Sequence, residues 1–397
     1  MTLSPGIDLR HRVDPGIPAL RDVDALLVLG AVFGAGFLVP SIGGDLVIAD
    51  VFVMAAIVLW LPGLVRGQPR GVLRAVSLPL LIILLGSMLA VLAMGIEVWM
   101  VRDLVKDVAA FGSFLAAVTL LRRMGPRGVQ AVAGAAAVGT CIVVVMLLAE
   151  TGLRARGVFP NPNVAAHFLG ANLIVLSRAP IPRWLRLPAM VLAVVGLVVT
   201  GSFGALMMVT GAFAYLELGA VTSGRVTNRL RLVIPVVVVA AAVLAMVNLP
   251  SSTSDSGFNA KHLDRSTTGR MGKWTATVEV VIDHPLGIGP GSNRALGLLP
   301  EQQEAHNEYL AYLSERSIVG LVGMVALYGA LWRYGRRGGL TRAFVIGCAL
   351  QSLVRETWHY RHLWLLLALA VVLDERVTGD LAPEVRRIRR RAVARLP

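Results

Sequence analysis

Residues Glu304–Arg342 read EAHNEYLAYLSERSIVGLVGMVALYGALWRYGRRGGLTR. The stretch opens polar, turns apolar through Trp332, and ends in a cluster of arginines. An apolar run of this length can cross the hydrocarbon core of a bilayer as a helix. Arginines gathered at one end mark the side on which such a helix stops. The same pattern recurs along the 397 residues, of which 56% are hydrophobic and 16% charged, with mean hydropathy +0.70. A soluble domain carries far more charge. The sequence therefore predicts an all-α, polytopic transmembrane helical bundle.

Twelve spans are expected, near 25–40, 46–65, 76–95, 99–121, 129–150, 164–177, 187–201, 203–219, 232–249, 306–332, 343–357 and 362–374. The loops on one side, with the two terminal segments, hold 26 of the 38 Lys and Arg residues. By the positive-inside rule that side is cytoplasmic and holds both termini, so the span count is even. The net charge of +14 is thus a topology signal, and no nucleic-acid partner is expected. The division runs as a cytoplasmic segment 1–24, spans one to nine over 25–249, a long extracytoplasmic loop 250–305 between spans nine and ten, spans ten to twelve over 306–374, and a basic tail 375–397. Cys141 and Cys348 lie inside apolar runs and read as small core residues. The polar N-terminus does not resemble a cleavable signal peptide.

In the fourth span, Arg102, Asp103, Lys106 and Asp107 share one helical face. That face either turns into the bundle interior or stands in water at the membrane edge. Three further polar clusters fall on the extracytoplasmic side. In RARGVFPNPNVAAHF, Arg154–Phe168, the Pro-Asn-Pro-Asn run forces a turn and puts Asn163 at a capping position for the next helix. Arg154 and Arg156 lie on the side where topogenic arginines are not expected, so they either grip a ligand or anchor to lipid phosphates. In GRMGKWTATVEVVIDHPLGIGPGSNRALG, Gly269–Gly297, Arg270, Trp274, Thr277 and Val281 share a face with Lys273 nearby. The HPLGIGPG turn that follows would expose backbone amides, although it lacks the Lys-Ser or Lys-Thr of a Walker loop. The third cluster is the opening stretch, where His306 and Tyr309 are expected on one helical stripe and Glu308 and Glu315 on the next.

Arginine keeps its charge and grips phosphate oxygens with a bidentate fork. Histidine titrates near neutrality and can handle the proton of a sugar hydroxyl. Arg156, Arg270 and His306 together suit a substrate made of lipid, diphosphate and sugar at the outer face of a bilayer. No metal or cofactor is expected. Asp22–Asp24 mimics the Asp-x-Asp of nucleotide-sugar transferases but lies on the cytoplasmic side.

The chain resembles the O-antigen ligase and O-antigen polymerase family. The matching pieces occur in order: Arg156-Gly157, Pro162-Asn163, Arg270 four residues before Trp274, HPLGIG from His284, and HNEYL from His306. The resemblance implies a metal-independent glycosyltransferase using undecaprenyl-diphosphate-linked glycan as donor. It implies that Arg156 and Arg270 bind the diphosphate and that His306 assists the acceptor. Arg154, Asn163, Lys273, Trp274, Asn307 and Glu315 are the further substrate-binding candidates. Two departures stand out. The family's serine–arginine–glycine turn reads Ser202-Phe203-Gly204, and the glycine of its glutamate–x–glycine reads Ser317. The expected partners are the lipid-linked donor, a glycan, lipid or protein acceptor, and membrane lipids. The contrasting reading is a transporter or flippase. It would place polar residues near the midplane and in repeated halves, whereas here they gather at outer helix ends.

Overall fold

The computed structural model describes residues 70–123, 125–150, 155–157, 159, 161–222, 260–297, 305–336, 339–360 and 362–375. The spans expected near 25–40, 46–65 and 232–249, the Asp22–Asp24 segment, Arg154 and the basic tail lie outside these residues. Among the described residues the fold is helical without strands. In chain order the helices are α1 (Arg70–Met94), α2 (Val98–Arg123), α3 (Gly125–Ala149), α4 (Pro162–Leu176), α5 (Arg183–Thr200), α6 (Phe203–Thr222), α7 (Ala260–Asp283), α8 (Ser292–Ala295), α9 (Glu308–Tyr334), α10 (Leu340–Ser352) and α11 (362–375).

Among the described residues, five helices are long and apolar enough to cross a membrane: Gly71–Met94, Val98–Arg122, Gly128–Ala149, Arg183–Thr200 and Glu308–Tyr334. Two shorter apolar helices, Pro162–Leu176 and Phe203–Gly219, accompany them. The chain is a multi-pass membrane protein. Leu78, Leu81, Leu85 and Leu92 are exposed on α1, as are Ile318, Val322 and Val325 on α9, which suits helices bathed in lipid.

Hydrocarbon offers no hydrophobic gain on helix pairing, so close backbone approach at small residues has to supply the packing. α1 and α9 run antiparallel, with Gly71 beside Tyr334 and Gly86 against Gly320. A Cβ added at Gly86 would fall 2.6 Å from the Arg316 carbonyl, and one at Gly323 would fall 2.6 Å from the Ile83 nitrogen. α6 and α10 pair the same way, with Gly347 against the Met208 carbonyl and Gly204 against Val354. In α5, Gly196 admits Val144 of α3 and Leu169 of α4.

The C-terminal ends of α2, α9 and α11 meet. Arg122 donates to the Glu375 carboxylate and to the Tyr334 hydroxyl. Nearby, the Asp374 carboxylate caps α10 by accepting from Leu340 N at 2.8 Å and Thr341 N at 2.9 Å. With their C-terminal ends together, these three helices share a direction. The opposite end of the bundle carries the start of α9. α10 stops at Ser352, short of the span expected to reach 357, because the chain turns there to lie across that end.

Candidate active site at the His306 end

Asn307 caps α9. Its side-chain oxygen accepts from Tyr309 N at 3.0 Å and Leu310 N at 3.1 Å, serving two of the amide groups that a helix start leaves unpaired. His306 therefore stands before the helix and not on its stripe, because the cap residue must leave helical geometry. Its φ of 54° puts a non-glycine residue in the left-handed region. A backbone held there marks a site that the surroundings over-determine. Guanidinium Nη1 of Arg355 lies 3.2 Å from His306 Nδ1.

The residues after α10 are fastened to this start. The Glu308 carboxylate, almost fully buried, accepts from the backbone amides of Thr357 and Trp358. Trp358 Nε1 donates to the Tyr328 hydroxyl at 2.8 Å, and Trp364 Nε1 to the Trp358 carbonyl at 2.6 Å. Arg355 Nε reaches the Tyr360 hydroxyl at 3.3 Å. The Tyr360 ring stacks on His362, whose Nε2 lies 2.7 Å from Nδ1 of the buried His167 on α4. Phe159 closes the group edge-on to His362. The Arg156 segment thus joins the same end of the bundle. Arg156 is exposed there, and Gly157, at φ 57°, rests on Leu147. The cap of α4 is Asn161, accepting from Val164 N at 3.1 Å. Asn163 falls one position inside the helix, since Pro162 takes the first helical place, where a missing N–H costs nothing.

Helix α7 lies against the start of α9, with Ala276 packed on Ala305 and Ala311. Its faces separate as the spacing requires. Lys273 and Thr277 are buried and Arg270, Trp274 and Val281 half-buried, while Met271, Thr275, Val278 and Ile282 are exposed. The turn after it uses its amides internally. Ile288 N donates to the Ser314 carbonyl at 2.9 Å and Gly289 N to the Glu315 carbonyl at 3.0 Å. Those carbonyls are available because α9 breaks at Ser317, where φ is 61° and ψ 179°. Gly287 and Gly289 hold φ of 87° and 92°. A Cβ at Gly287 would meet Ser317 N at 2.8 Å, so only glycine fits both the dihedral and the space. The exposed amides expected of this turn are therefore committed to docking.

Glu315 completes the joint. Its carboxylate accepts from Gly291 N at 3.0 Å and Asn293 N at 3.1 Å, holding α8 against α9. The next residue, Arg316, is buried. Its guanidinium lies 2.6 Å from Asp107, donates to Ser87 Oγ at 2.7 Å, and sits 4.9 Å from the Tyr312 ring centroid. The charged face of α2 thus turns inward at Asp107, while Asp103 and Lys106 pair at 2.9 Å nearer its start.

The described candidates His306, Asn307, Arg270, Lys273, Trp274, Arg156, Asn163 and Glu315 all lie on segments meeting at this end. Sequence reasoning missed Arg316, Arg355, His167, Tyr360 and His362. Arg355 carried a usable signal, since it is an arginine inside the run 343–357 that the sequence marks as a span. Among the described residues no group of His, Cys, Asp and Glu is arranged to hold a metal ion.

A comparison with curated proteins gives no match. The family model described as O-antigen ligase matches residues 188–328, a range that takes in Arg270, the glycine turn, His306 and the Ser317 break. Over residues 188–328 the chain is similar to the O-antigen ligase family.

Proposed function

We propose that the protein is a metal-independent glycosyltransferase that polymerises or ligates undecaprenyl-diphosphate-linked oligosaccharide at the outer face of the cytoplasmic membrane, in the synthesis of a surface polysaccharide. A membrane protein similar to this family points to polysaccharide synthesis. The single observation that carries the finer reading is the strained His306, standing at the bundle end where the segments bearing Arg156 and Arg270 also meet. Two permanent cations suit a diphosphate, and they offset the charge that builds on it as the sugar departs. Lys273 and Trp274 back Arg270 from the same helix. Asn307 caps the helix directly behind His306, and Glu315 fastens the 291–293 segment to that helix. The donor's lipid would lie along the exposed apolar faces of the helices. Both termini are assigned to the cytoplasm by the arginine distribution, and a second lipid-linked repeat is the favoured acceptor.

The test is release of polyprenyl diphosphate by purified protein in nanodiscs, given a short lipid-linked oligosaccharide and candidate acceptors with EDTA present. Release is expected, and Arg270→Ala is expected to lower it by about 10²–10³-fold. Movement of the intact donor across the bilayer without release would instead make the protein a flippase and overturn the proposal.

A further inference from the structure

We infer that Arg355 is a positioning residue for His306, and that it turns the imidazole into a hydrogen-bond donor to the diphosphate. A guanidinium has only donors. The 3.2 Å contact from Arg355 Nη1 to His306 Nδ1 therefore makes Nδ1 the acceptor, and the neutral ring carries its proton on Nε2. A ring in that tautomer offers Nε2–H and cannot take a proton there.

The geometry around Arg355 is built to hold this orientation. The Glu308 carboxylate fixes the Thr357 and Trp358 amides one turn from the histidine. Tyr360 takes a second hydrogen bond from the same guanidinium at 3.3 Å. The turn also touches the position where the family resemblance leads one to expect an arginine. Gly204, directly after Phe203, lies against Val354 and Gln351, next to Arg355 in sequence. Where the resemblance leads one to expect an arginine at 203, a cation on the neighbouring turn stands beside the site instead.

The inference rests on the proposed glycosyl transfer. In that step the acceptor oxygen bonds to the anomeric carbon, and the bond from that carbon to the diphosphate oxygen breaks with its electron pair. The hydroxyl proton passes to the departing diphosphate, which gains charge as the bond breaks. His306 Nε2–H donates to that diphosphate beside Arg156 and Arg270, and no proton is transferred to the ring.

Two measurements separate this from its premise. The first is the ¹⁵N spectrum of histidine-labelled protein under conditions where the ring is neutral, with His306→Ala for assignment. It needs no activity. Protonated Nε2 with unprotonated Nδ1 is expected, and loss of that bias in Arg355→Met. A protonated Nδ1 in the unmodified protein would overturn the inference while leaving glycosyl transfer standing. The second is turnover. His306→Ala is expected to lose about 10²–10³-fold. His306→Gln, which keeps an N–H donor at a comparable reach but has no basic nitrogen, is expected to recover on the order of tenfold or more of that loss. Equal loss in both variants would show that a base is required and refute the donor role. Arg355→Met is expected to lower kcat with KM nearly unchanged, with partial rescue in Arg355→Lys. A change confined to KM would refute positioning.

Discussion

Ser317 offers a prediction whose sign is opposite to ordinary helix behaviour. In a helix interior alanine is favoured over glycine by about 0.8–1 kcal/mol. At Ser317, φ of 61° with ψ of 179° lies in a region that is essentially reserved for glycine, at a cost of about 1–3 kcal/mol for other residues. Glycine removes that cost but returns about 0.4–1 kcal/mol through the freer unfolded chain. Both Ser317→Gly and Ser317→Ala lose the hydrogen bond from Val319 N to Ser317 Oγ at 3.2 Å, so that loss cancels between them. Ser317→Gly is therefore expected to be more stable than Ser317→Ala by roughly 1 kcal/mol. At Val325, exposed on the same helix, the order should be reversed. The assay is unfolding of the four variants in one detergent. Alanine above glycine at both positions would mean that the helix runs through Ser317 unbroken, and the docking of the 287–289 turn onto freed carbonyls would fall with it.

Other perturbations test the remaining joints. Asp107→Ala leaves the buried Arg316 guanidinium uncompensated and is expected to cost about 3–5 kcal/mol, while Asp107→Leu with Arg316→Met should be far milder; unfolding of both variants measures the difference. Gly289→Ala forces a side chain into φ of 92° against Met100, and should lower stability by at least about 1–2 kcal/mol and reduce transfer with it. Arg122→Ala breaks the cluster at the far end of the bundle. With side chains about 30% exposed, the ion pair should contribute about 0.2–1 kcal/mol, and transfer measured in the same preparation should stay at the wild-type level.

Much of the architecture was legible in the sequence because lipid imposes it. The runs at 76–95, 99–121 and 306–332 appear as α1, α2 and α9 with ends displaced by a few residues. The C-terminal ends of α2, α9 and α11 meet at Arg122, Tyr334 and Glu375, the arrangement that the arginine placement leads one to expect. The motifs HPLGIG and HNEYL were legible as motifs, yet their mechanical roles were not. The turn's amides serve carbonyls freed by a break at Ser317, and no local pattern announces a break inside an apolar run. The resemblance leads one to expect a glycine at that position, and Ser317 obscured the clue. Arg316 and Asp107 are separated by more than two hundred residues, so nothing local links the charge on α2 to its partner on α9. His167, Tyr360 and His362 were hidden for the same reason. Each is an ordinary residue in its own segment and becomes part of a site only when α4 and the last turn meet.

The most direct test of the central claim is whether purified protein builds glycan from a lipid-linked donor alone. The donor is a short oligosaccharide on polyprenyl diphosphate, and the readout is the mass of the lipid-linked products, with His306→Ala alongside. The account predicts a ladder of longer lipid-linked glycans that the variant does not make. Unchanged donor, both alone and after glycan, lipid and protein acceptors are added, would contradict it.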